Sequence, residues 1–68
     1  MPQISLNGKP HATPTNASVA TLLAEIGLAN RGGIAVEVNA EVIPRSEHAT
    51  RVLIEGDKVE VVTMMAGG

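Results

Sequence analysis

Few side chains in this sequence have reactive potential. It contains no cysteine, which removes thiolate nucleophiles, thiolate metal sites and disulfides together. The two histidines, His11 and His48, lie far apart, and no local carboxylate pattern turns either into a metal ligand set, so both are expected to be solvated. Ser18 stands immediately before an apolar helical pattern, where a hydroxyl caps free backbone N–H groups more readily than it attacks a substrate. Glu25, Glu37, Glu41, Glu47, Glu55, Asp57 and Glu60 are scattered as on a solvated surface, and Asp57 suits turn chemistry. Gly32-Gly33 precedes a strand pattern instead of opening a helix, so it is not a phosphate cradle. What remains is the last pair, Gly67-Gly68. Two residues without Cβ are slim enough to thread a narrow channel and present the α-carboxylate there. A carboxylate becomes an acyl donor once adenylation turns one of its oxygens into a leaving group. From the pair alone, a frayed or processed tail is the more economical explanation.

The rest of the composition limits what can position such a terminus. Sixty-eight residues make one small domain, a size that buries only about 60% of the surface exposed by the unfolded chain. With no Phe, Trp or Tyr, the core must be Val, Ile, Leu, Ala and Met, and stacking platforms for single-stranded nucleic acid are missing. Five Lys and Arg against seven Asp and Glu leave a formal charge of -2, with no basic stripe for phosphates. Neither nucleic acid nor membrane is an expected partner: the apolar runs are too short for a transmembrane helix. No signal-peptide pattern opens the chain, so the expected location is cytoplasmic.

The elements follow from local patterns. Ile4 and Leu6 alternate with polar residues as in a half-buried strand, and Asn7-Gly8 predicts a type I′ hairpin into a weak edge strand over Lys9 to Thr13 that contains Pro10. Pro14-Thr15-Asn16 is a turn. Ser18 caps a short helix whose face is Val19, Leu22, Leu23 and Ile26, and Gly27 stops it. A loop at Asn30 to Gly33 leads to a strand over Ile34 to Asn39, a turn, and a short Val42-Ile43 segment ended by Pro44. Pro44 to Ala49 is a turn or a single helical turn. Arg51 to Glu55 alternates as a strand, with Gly56-Asp57 as a type II′ hairpin turn into a last strand from Lys58 to Met64. In that strand Val59, Val61 and Thr63 share one face, and Glu60, Val62 and Met64 share the other. The expected architecture is an α+β roll: a mixed sheet of four to five strands with one main helix across one face, in a single domain over 1–68 with a flexible tail at 65–68.

A strand–hairpin–helix–strand roll ending in Gly-Gly resembles the ubiquitin-like β-grasp fold. More closely, the chain resembles the sulfur carrier proteins of thiamine biosynthesis, the ThiS family. The matching residues are Ser18-Val19-Ala20-Thr21-Leu22-Leu23, Ala35-Val36-Glu37-Val38-Asn39, Val42-Ile43-Pro44-Arg45, Leu53, Gly56-Asp57-Lys58-Val59-Glu60-Val61-Val62 and Gly67-Gly68, so the likeness covers essentially the whole chain. Gly-Asp-x-Val-Glu by itself is a weak motif; joined to the Pro-Arg segment and the terminal pair it is specific. His48 departs from the pattern, because many relatives carry Trp there, which bears on packing after Pro44.

The resemblance implies a protein co-substrate, not an enzyme, with no bound cofactor or metal. A ThiF-like adenylyltransferase would use ATP and Mg²⁺ to adenylate Gly68. A sulfur donor such as a cysteine desulfurase or a rhodanese-like protein would convert the acyl-adenylate to a thiocarboxylate. A ThiG-like thiazole synthase would then take the sulfur. Gly67, Ala66 and Met65 would thread into the partner's active site, and Val62, Met64 and Arg45 are candidates for docking. Two other readings remain open from the residues: a carrier in another pathway (molybdopterin, cysteine or a specialised metabolite), and a non-conjugating β-grasp binding module.

Overall fold

Two hairpins frame the sheet, and each turns on an asparagine. In the computed structural model, which describes residues 1–64, β1 (Gln3–Leu6) pairs antiparallel with β2 (Lys9–Ala12), and Asn7-Gly8 makes the turn between Leu6 and Lys9. Both turn residues have positive φ, at 50° and 84°, as a type I′ turn requires. The second hairpin joins β3 (Ile34–Val38) to β4 (Glu41–Val42) through Asn39-Ala40, with φ of 53° and 70°. Ala40 accepts a left-handed conformation that costs a residue with a Cβ about 1–2 kcal/mol.

The last strand, β5 (Lys58–Thr63), enters the middle of the sheet, giving the order β2-β1-β5-β3-β4. It runs parallel to β1 and antiparallel to β3. A parallel neighbour cannot be reached by a tight turn, so the chain crosses over between them. That crossover carries α1 (Val19–Glu25), the one α-helix among the described residues. Val19, Leu22 and Leu23 of α1 pack with Ile4, Val36, Val38, Val59 and Val61 of the sheet and with Ile43 and Leu53 from the connecting segments. The core is wholly aliphatic, and each such buried side chain contributes about 1.5–3 kcal/mol. This is the β-grasp arrangement expected from the sequence.

Seven residues are too few for a helix to persist alone, so its ends are closely satisfied. Ser18 Oγ accepts from Thr21 N–H, and the Thr21 hydroxyl accepts from Ser18 N–H, a capping box. Val19 and Ala20 donate their N–H groups to the carbonyls of Arg51 and His48. At the other end Gly27 (φ 82°) donates to Ala24 O and Leu28 to Leu23 O, a Schellman closure.

The expected strand at Arg51 to Glu55 and the hairpin at Gly56-Asp57 are not formed. Residues 45–47 make a single 3₁₀ turn, and residues 51–57 make only one bridge, Val52 with Ser18. The alternation itself is real: Leu53 is buried while Val52 and Ile54 are exposed. Both edges of β5 are already taken by β1 and β3, so a preceding strand has no place beside it. The backbone of 51–53 is spent on residues 17–19 instead, and Gly56 N–H reaches Gln3 O.

Asp57 fixes the entry to β5. It is buried; Oδ2 accepts from Ile54 N–H and Oδ1 accepts from the Asn39 side-chain amide, each at 2.9 Å. Replacing Asp57 by Ala leaves two donors without their acceptors, so Asp57→Ala is expected to cost about 2–3 kcal/mol of stability. Urea unfolding monitored by circular dichroism measures this, and a loss below about 0.5 kcal/mol would show that the entry is held by other contacts.

Candidate functional site

The sequence points to the C-terminal residues, and the structure shows what they are attached to. The candidates Met65, Ala66, Gly67 and Gly68 lie outside the described residues. Their root is the end of β5, and the backbone there is held from both sides.

On the β1 side, Ser5 N–H donates to Asp57 O and Asn7 N–H to Val59 O, after which the chain turns away at Gly8. Val61 would lose its partner at that point. The Asn7 side chain takes its place: Oδ1 accepts from Val61 N–H at 2.8 Å, and Nδ2 donates to Val61 O at 3.2 Å. A side-chain amide thus extends a backbone ladder by one rung. Asn39 does the same for the other edge of β5, accepting from Lys58 N–H through Oδ1 at 2.9 Å.

On the β3 side the ladder runs from Val38↔Val59 to Ile34↔Thr63 and closes with Met64 N–H donating to Gly33 O. Gly33 has φ 73°, and a Cβ built on it would lie 2.5 Å from Met64 O. Among the described glycines it alone has any atom within 4 Å of that position. The sequence marks Gly33 only as a loop residue, because its reason is a contact with a distant strand.

Val62 on the outer face of β5, opposite the core, and Met64, just past the strand's end, are 55% and 60% exposed. Val62 faces half-buried Ala35 across the ladder, and Val42 on β4 is a further exposed apolar residue on this face. Arg45 is not brought to them. It lines a half-open cleft of about 230 Å³ together with Ala20 and Leu23 of α1, Ile34, Arg31 and His48, on the helix side of the sheet.

The other polar candidates are engaged locally. The Ser18 hydroxyl serves the helix cap. His48 Nε2 hydrogen-bonds Ile43 O at 3.1 Å, tying the 3₁₀ turn back to the residue before Pro44. His11 Nε2 lies 3.7 Å from Glu25 Oε1, joining β2 to the end of α1. Among the described residues no group of three or more His, Asp or Glu side chains is placed to hold a metal ion, and no helix is long and apolar enough to cross a membrane.

Known proteins share this arrangement. A family model described as the ThiS family matches residues 4–68. The chain is 35% identical over 66 residues to a thiazole synthase of Paramagnetospirillum magneticum, a match covering 97% of this chain and 20% of that protein. It therefore spans about a fifth of the length of that relative. The crystal structure of the thiamine biosynthesis protein ThiS from Geobacter metallireducens superposes with a TM-score of 0.79 at 31% identity, covering 97% of this chain and 99% of that one. The solution structure of a thiamine biosynthesis protein from the same organism gives 0.76 at 31% identity, covering 97% and 87%.

Gly33 and Gly27 provide a matched pair for testing the root. Both have positive φ, but a Cβ at Gly27 meets nothing within 4 Å. Gly33→Ala and Gly27→Ala should each lose about 1 kcal/mol to backbone strain. Only Gly33→Ala should displace the amide resonances of Thr63 and Met64 in a ¹⁵N correlation spectrum; equal displacement in both variants would show that Gly33 does not set the root.

Proposed function

The chain belongs to the ThiS family, and from that premise we propose that it is a sulfur carrier of thiamine biosynthesis, a recyclable protein co-substrate and not itself an enzyme. The observation that carries the proposal is the family match, which spans residues 4–68 and so includes Gly67-Gly68. The similarity in sequence and fold to thiamine biosynthesis proteins of Geobacter metallireducens supports it and favours thiamine over the other carrier pathways.

The chemistry takes place on the Gly68 carboxylate. An oxygen of that carboxylate attacks the α-phosphorus of ATP, pyrophosphate leaves, and an acyl-adenylate forms. ATP and Mg²⁺ belong to the partner adenylyltransferase. A persulfide carried by a cysteine desulfurase or a rhodanese-like protein then displaces AMP at the acyl carbon to give an acyl disulfide, and a thiol of the donor system cleaves its S–S bond, leaving the thiocarboxylate on this chain and a disulfide on the donor side. A thiazole synthase is the proposed acceptor of the sulfur. The relative named thiazole synthase, one-fifth of which aligns with nearly all of this chain, supports that partner. The lack of cysteine is compatible with the scheme, because the sulfur rides on the terminal carbonyl.

In this reading β5 is a rigid mount and residues 65–68 enter the partner's active site. Val62 and Met64 provide apolar contact beside the mount, and Arg45 would meet a partner only from the helix side. The proposed location is the cytoplasm, where ATP is available.

Incubation with adenylyltransferase, ATP, Mg²⁺ and a sulfur source should raise the intact mass by the difference between sulfur and oxygen, with the change mapped to the last peptide. A chain lacking Gly68 should melt at the same temperature and gain no mass. Full conversion of the truncated chain, or an unchanged mass of the intact one with a competent partner, would overturn the carrier reading.

A further inference from the structure

Asparagine stands at positions 7, 16, 30 and 39, and at all of them φ is positive. Backbone conformation therefore does not tell these residues apart; the residue that follows does. Ala17, Arg31 and Ala40 follow the last three, and Gly8 follows Asn7. The backbone nitrogen of a glycine, with no Cβ beside it, is the least hindered nucleophile a chain can offer to the side-chain amide before it. Asn7 and Gly8 are exposed, and nothing stands within 4 Å of the place a Cβ on Gly8 would take, so water reaches the turn. The side chain of Asn7 is nevertheless engaged. Oδ1 accepts from Val61 N–H at 2.8 Å and Nδ2 donates to Val61 O at 3.2 Å, which commits the amide to β5.

We propose that Asn7-Gly8 is a site of spontaneous deamidation, held in check by the rung to Val61, and that its reaction loosens the root of the last strand irreversibly. The Gly8 nitrogen attacks Cγ of Asn7, the bond from Cγ to Nδ2 breaks, and ammonia leaves with the Gly8 amide proton. Water then opens the resulting succinimide at one of its two carbonyls, leaving aspartate or isoaspartate. Either product spoils the rung. An ionised carboxylate only accepts, so Val61 O loses its donor and meets an oxygen instead. Isoaspartate also runs the main chain through Cβ, which lengthens a two-residue turn by one atom and disturbs the Leu6↔Lys9 register. Ring closure requires both bonds to Val61 to break first, so opening of the β1–β5 junction sets the rate in the folded chain. Asn39 is bonded in a similar way to Lys58 N–H and the Asp57 carboxylate, but Ala40 after it carries a Cβ that hinders the same attack. The proposal stands on this hairpin and is independent of the carrier reading.

Ageing the full chain at mildly alkaline pH, folded and in concentrated guanidinium chloride, tests the assignment. Peptide mapping follows each asparagine, the product being one ammonia lighter and one water heavier. In denaturant, Asn7 should convert about tenfold faster than Asn16, Asn30 or Asn39, and Gly8→Ala should bring it down to their rate, because the Cβ hinders attack. That comparison does not depend on whether the variant folds. The folded original chain should convert at Asn7 about tenfold more slowly than the denatured one, since two hydrogen bonds must open first. Converted chain, separated by anion exchange and returned to buffer, should melt about 4–8 °C lower. Its Val61 amide resonance should move in a ¹⁵N correlation spectrum. No preference for Asn7 in denaturant would overturn the site. Equal rates in the folded and denatured chain would overturn control by the rung. An unchanged melt and an unmoved Val61 resonance in the converted chain would overturn the loosening of the root.

Discussion

Much of this structure follows from one constraint: the strand that ends the described chain lies in the middle of its sheet. β5 is flanked by β1 in parallel and β3 in antiparallel orientation. The parallel contact requires a crossover, and the crossover places α1 over one face. Occupation of both edges of β5 also denies the preceding residues a partner there, which turns residues 51–53 toward the start of the helix. The flanking strands are shorter than the ladders they must supply. Asn7 and Asn39 make up the difference, each a left-handed turn residue whose side-chain amide bonds the backbone of β5. One residue type therefore meets two demands, a positive φ for a type I′ turn and a polar group beyond the end of the strand.

This economy suits a domain with little core to spare. An aliphatic interior with no aromatic ring stabilises through many modest contacts, so an unsatisfied backbone group, at about 1–3 kcal/mol, would offset the burial of a whole side chain. The first turn of α1 illustrates the response. Its free N–H groups are met by Ser18 Oγ and by the carbonyls of Arg51 and His48, which lie far along the chain. Asp57 similarly joins its own turn to Asn39, tying the entry of β5 to the β3–β4 hairpin.

Features with local causes are legible in the sequence. Asn7-Gly8, the Ser18 cap, the helical spacing of Val19, Leu22 and Leu23, the stop at Gly27 and the alternation of β5 each depend on a few neighbouring residues, and all appear as expected. The family resemblance is carried by the same segments. The alternation correctly puts Val52 and Ile54 on one face and Leu53 on the other, and the structure buries Leu53, yet the pattern cannot say whose backbone they pair with. Gly33 is opaque for the same reason: what excludes a Cβ is the carbonyl of Met64, brought close only by the sheet. Arg45 follows a recognisable Pro-Arg segment, but the 3₁₀ turn after Pro44 sends it to the helix side, away from Val62 and Met64.

The edges of the sheet decide which surface remains for recognition. A partner adding a strand needs an edge with free donors and acceptors. Here one edge is β2, interrupted by Pro10, and the other is β4, only two residues long. Both are poor templates, a common defence against unwanted pairing. The helix covers one face, so the broad surface left open is the outer face, where Val42, Val62 and Met64 are exposed beside Glu37 and Glu60. That surface and the root of the C-terminal residues belong to the same strand. A partner that grips the face therefore fixes the position of Met64 through a short, fully hydrogen-bonded span of backbone. The position of Met64 is thus set by the register of β5 against Gly33 and Asn7.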